Sequence, residues 1–125
     1  MMLPEHEEAM RVDFAERAAL DRQLDERDMD AATVERVCDR IDAIDDRWDT
    51  GPHAKQWRFL GDAYAEWDQR PVAMREHLER LRRQHAAGHD IGMSEVEYRS
   101  VEQAGALIDP QLTQQQHQQR PQRSR

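Results

Sequence analysis

Apolar residues recur along this chain at intervals of three and four, the spacing that gathers them on one face of an α-helix. The clearest stretch is DAATVERVCDRIDAIDDRWD, residues 30–49. On a helix of 3.6 residues per turn it separates into three lengthwise stripes. Val34, Val37, Ile41, Ile44 and Trp48 form an apolar stripe with Cys38 at its edge, Glu35, Asp39, Asp42, Asp46 and Asp49 an acidic one, and Arg36, Arg40 and Arg47 a basic one. Asp30 is placed to cap this helix. Before it, a helix is expected over about 5–27, with Met10, Phe14 and Leu24 on one face and Val12, Ala15 and Ala19 on the other. Pairs such as Glu7–Arg11 and Asp13–Arg17 support it at i, i+4.

After Asp49, Thr50-Gly51-Pro52 reads as a stop and a restart. Gly51 is free to turn left-handed, and Pro52 suits a first helical turn. The next helix reaches about Asp68, with His53, Trp57, Leu60, Tyr64 and Trp67 on a broad face widened by Phe59 and Ala63. So wide a face belongs to the most buried helix or to one that meets a partner. Pro71 opens a fourth helix to about Ala87, where Met74, Leu78, Leu81 and His85 make the narrow 4-3-4 seam of coiled-coil packing. Ser94-Glu95-Val96-Glu97 is a capping box for a fifth. Val96, Val101, Ala104, Leu107 and Ile108 form its inner face, weakened by Gly105, and Asp109-Pro110 ends it. The pattern predicts an all-α, bundle-like single domain of five helices over residues 1–109. Helices two to four would be central and the first peripheral. A disordered Gln- and Arg-rich tail would follow over 110–125.

Composition makes that core thin. Leu, Ile, Val and Phe together number 20 of 125 residues, against 35% charged residues. Fifteen Ala and three Trp offset the shortage through helix propensity and large buried area. A thin core is often completed by a partner or a second copy. The single Lys55 among 17 arginines points to a GC-rich genome, hence a bacterium, phage or plasmid. Net charge is −8; three Arg and no acid lie in 110–125, which leaves −11 on residues 1–109. An acidic body argues against direct nucleic-acid binding, which needs Lys and Arg facing phosphates. It suits a basic partner surface or plain solubility. No signal peptide or membrane-length apolar run is visible, so a cytoplasmic location is expected.

The acidic stripe is the first candidate site. Glu35 to Asp49 span about 21 Å, with carboxylates about 5 Å apart. Like charges at i, i+4 disfavour an isolated helix. Two explanations stand: these acids face a basic groove on a partner, imitating a nucleic-acid backbone in the strongest form, or they are a solvated face neutralised by arginines of neighbouring helices. The second candidate is Trp57, Tyr64 and Trp67. Aromatics at helical spacing are commonly core; the alternative is an interface anchor.

Enzyme templates find little. Cys38 is alone, so neither a disulfide nor a Cys-based metal site is expected. Its aliphatic and acidic neighbours disfavour a reactive thiolate. No Gly-x-Ser-x-Gly elbow or phosphate-binding glycine loop occurs. His6-Glu7 opens like a zinc-protease motif, but residue 10 is Met. Glu-x-x-His is absent. His89-Asp90-Ile91-Gly92 resembles the His-Asp-Ile-Gly core of HD-domain phosphohydrolases. That resemblance implies a metal held by His89 and Asp90, with His53 as the earlier ligand, for phosphoester hydrolysis. This chain departs from the family in its polar preceding residues, 82–85, and in Asp109, which follows too closely for the last ligand.

The sequence therefore favours a non-enzymatic, acidic helical interaction protein, an inhibitor or regulator that docks on a basic surface of a partner protein. Asp39, Asp42 and Asp46 would supply the charge, flanked by Glu35 and Asp49, with Trp57, Tyr64 and Trp67 as an apolar anchor. No cofactor, membrane or direct nucleic-acid contact is expected. The alternatives are a homodimeric scaffold and, from the resemblance, a metal-dependent phosphohydrolase.

Overall fold

The computed structural model describes residues 2–110. The fold is all-α, as expected, with no strand among the described residues. Five helices follow in order: α1 (Pro4–Gln23), α2 (Ala31–Asp49), α3 (Ala54–Gln69), α4 (Pro71–Ala86) and α5 (Glu95–Ile108). The expected tail lies outside the described residues, apart from Pro110.

Local chemistry sets most of the boundaries. Pro opens α1 and α4, where its missing N–H costs no helical bond. The Asp30 carboxylate accepts from the Thr33 N–H at 2.7 Å and caps α2. The expected capping box of α5 is present in full: Ser94 Oγ accepts from Glu97 N–H, and Glu97 Oε1 accepts from Ser94 N–H. Gly88, at φ +79°, ends α4 in the left-handed region that favours glycine. Two expectations need correction. The first helix stops at Gln23, four residues short of Arg27, and passes into turns. Gly51 does not turn left-handed; a Cβ there would lie 3.1 Å from the Arg47 carbonyl oxygen. Glycine is used at Gly51 for close approach.

Two compact units divide the chain, Met1–Arg58 and Phe59–Arg125, and the division falls inside α3. In the first, α1 packs along α2. Residue 13 meets 47, 17 meets 45 and 16 meets 40, so the helices run antiparallel as an αα-hairpin. Its buried apolar side chains are Met10, Phe14 and Ala18 from α1, Val37, Ile41, Ile44 and Trp48 from α2, and Trp57 from the start of α3. The helix expected at the periphery is therefore the principal partner of α2. Met10 and Phe14 were legible as a face, and Val12 on the other side is exposed.

In the second unit α4 packs on α5. Leu60, Ala63, Trp67, Leu78, Leu81, Tyr98, Val101 and Ala104 are buried. The inner face of α5 differs from the expected one. Tyr98 and Gly105 are buried in it, whereas Val96, Leu107 and Ile108 are only half-buried. Gly105 is a requirement rather than a weakness, because a Cβ would meet Trp67 Cζ2 at 2.5 Å. Trp67 Nε1 donates to the Val101 carbonyl at 3.1 Å, which fixes the indole against α5.

Candidate functional site

The site is built on α2, whose apolar stripe decides which way its other residues point. Val37, Ile41, Ile44 and Trp48 are buried, so the residues opposite them face outward. Those are Glu35, Asp39, Asp42, Asp46 and Asp49, and all five are exposed. Trp48 is anchored most firmly. Its indole lies parallel to that of Trp57 with centroids 5.6 Å apart, and Phe14 meets Trp57 edge-on at 5.3 Å. Trp48 Nε1 donates to Asp13 Oδ2 at 2.8 Å, and Arg47 donates to the same oxygen at 3.1 Å. This buried carboxylate of α1 thus fixes the rotation of α2 about its own axis.

The arginines settle the electrostatics. Arg40 holds Glu16 by two hydrogen bonds of 2.7 and 3.0 Å, and Arg17 holds Asp45 by two of 2.7 and 3.2 Å. The hydrogen bond from Arg40 keeps the Glu16 carboxyl below its usual range. The one from Thr33 does the same for Asp30. Arg17, Arg40 and Arg47 are thus each hydrogen-bonded to an acid away from the outward ridge, and Arg36 donates to Thr33 Oγ1 at 3.1 Å. Among the described residues, none of the five ridge carboxylates has a hydrogen-bond or ion-pair partner. Arg17 of α1, hydrogen-bonded to Asp45, also attracts Asp49 at longer range. The sequence pair Asp13–Arg17 is also replaced by longer-range partners, a choice that residue spacing alone cannot reveal.

The aromatic anchor is corrected. Trp57 is 5% exposed and Trp67 is fully buried, so both indoles are core; Tyr64 is half-buried. Each Trp is occupied within its own unit, Trp57 by Trp48 and Phe14, Trp67 by Val101 and Gly105. The seam of α4 is likewise used inside the chain. Leu78 and Leu81 are buried, and His85 stacks on Tyr98 at 4.3 Å while its Nε2 lies 2.8 Å from Glu95.

His89 and Asp90 lie in the loop between α4 and α5 rather than on a helix, and both are exposed. Asp90 Oδ1 accepts from the Gly92 N–H, closing its own turn around a second left-handed glycine. Asp109 is paired with Arg75. Among the described residues no group of three or more His, Cys, Asp or Glu is placed to hold a metal ion. Among the described residues no helix is long and apolar enough to cross a membrane. Comparison with protein-family models, with curated proteins and with solved structures gives no match.

Proposed function

We propose that this chain is a non-enzymatic interaction protein whose outward ridge on α2 docks on a basic surface of a partner protein, as an inhibitor or regulator would. One observation carries the reading. Five carboxylates stand in line, exposed and without a hydrogen-bond or ion-pair partner among the described residues, while Arg17, Arg40 and Arg47 are each hydrogen-bonded to acids off that line. Self-repulsion along such a ridge costs stability, and a cationic partner relieves it. The rim of an interface governs association rate and salt response, so the ridge supplies attraction and register more than buried area. A nucleic-acid-binding groove is the strongest form of such a surface, because it already presents Lys and Arg at phosphate spacing.

The test is a pull-down with the wild type and with the Asp39→Asn, Asp42→Asn, Asp46→Asn triple variant at low and moderate salt, followed by affinity measurement on the partner identified. Circular dichroism checks that the variant keeps its helix. A partner held by the wild type, weakened by salt and lost by the folded variant is the expected result. Equal retrieval by both proteins, or none by either, removes the ridge as the working surface.

A further inference from the structure

His6 and His53 lie far apart in the sequence, yet their rings meet. His6 sits in the first turn of α1, and His53 is the residue before α3, its carbonyl accepting from the Trp57 N–H. The ring centroids are 5.1 Å apart and the planes are tilted by 43°. His53 is half-buried beside Trp48, 6.4 Å away, while His6 is exposed. Neither imidazole has a hydrogen-bond partner among the described residues.

We propose that His6 and His53 form a bis-imidazole site for a borderline transition-metal cation, Cu2+ or Zn2+. An imidazole nitrogen sits about 2.0–2.1 Å from a bound zinc ion, and the ring centroid lies about 1 Å beyond. Two imidazoles at a tetrahedral angle on one ion therefore have centroids about 5 Å apart. The observed separation of 5.1 Å matches that spacing. Among the described residues no third His, Cys, Asp or Glu completes the set, which leaves water in the other positions. Such a site is exchangeable rather than structural, and it favours Cu2+ over Zn2+ and excludes Mg2+ and Ca2+, which require oxygen ligands. The positive end of the α1 dipole opposes a cation here, and Glu5 and Glu7 in the same turn offset it. A bound ion ties the start of α1 to the residue before α3, joining the two ends of the first unit.

The full chain, stripped with chelator and dialysed, is titrated with Cu2+, Zn2+ and Mg2+ by calorimetry and by tryptophan fluorescence, since Trp48 adjoins His53. One Cu2+ per chain with quenching, weaker Zn2+ binding and no Mg2+ binding are expected. Losing either ligand should weaken Cu2+ at least about tenfold, in His6→Gln and in His53→Gln alike, while His85→Gln binds as the wild type does. Zn2+ should raise the melting temperature of the wild type and not that of His6→Gln. His6 is exposed, so its variant keeps the test valid should His53→Gln unfold. No binding by the wild type, or undiminished binding by His6→Gln, overturns the site; in the second case the ion sits on other groups.

Discussion

Asp13 decides more than any other single side chain in the first unit. It is a buried carboxylate whose Oδ2 serves both Trp48 Nε1 and Arg47. Removing it strands a buried indole N–H, and the loss is the desolvation penalty of that donor rather than the value of a surface ion pair. Asp13→Ala is expected to cost about 1–3 kcal/mol in urea unfolding. Arg47→Ala, which leaves Trp48 bonded to Asp13, should cost well under half as much. Equal losses in the two variants would mean that the ion pair, not the indole hydrogen bond, holds α1 on α2.

Glycines separate propensity from packing at the level of the helix. Gly61 and Gly105 both sit inside helices, where glycine is less favourable than alanine by about 1 kcal/mol. A Cβ at Gly61 meets nothing within 4 Å, so Gly61→Ala should stabilise by about 0.5–1 kcal/mol. At Gly105 the same atom would strike the Trp67 ring, which is fully buried and hydrogen-bonded to Val101 and has nowhere to go. Gly105→Ala should cost about 1–3 kcal/mol. Opposite signs for one chemical change, read by thermal unfolding, are the expected outcome. A stabilised Gly105→Ala protein would mean that α5 does not lie against the Trp67 ring.

For the whole molecule, the unequal use of its acids sets the response to pH. Glu16 and Asp30 have folded-state pKa values held below the ordinary range by Arg40 and Thr33. The unfolded chain therefore binds more protons as pH falls through about 4, so their contribution is present above that range and lost below it. Urea midpoints should fall between about pH 5 and pH 3, and less steeply in Glu16→Gln than in the wild type. Both groups are solvent-exposed, so added salt should flatten the difference. The ridge carboxylates lie at like-charge i, i+3 and i, i+4 spacing, and replacing them by amides removes that repulsion. Asp39→Asn, Asp42→Asn, Asp46→Asn should therefore fold at least as stably as the wild type, which lets loss of binding be read as loss of charge.

Much of this was written along the chain. The five helices, the Asp30 cap, the Ser94 box and the buried stripe of α2 follow from local spacing and local hydrogen bonding, which a sequence carries directly. The exposure of the ridge did not follow, because spacing alone leaves open whether arginines of a neighbouring helix cover an acidic stripe; the fold leaves all five acids exposed. Which helices pair did not follow, because Met10 and Phe14 offer α1 only a narrow apolar face and their partner is chosen by shape. The partners of the arginines were equally hidden. Arg17 had Asp13 and Asp21 within helical reach, yet it is drawn to Asp45 on the facing helix, and Arg40 and Arg47, with no acid three or four residues away, likewise find theirs there, about thirty residues away. The role of Gly105 also waited on the fold, since a glycine reads as a weak point until Trp67 is seen to need the space. Periodicity told which residues turn inward; only the packing of one helix on another told which charges were left over.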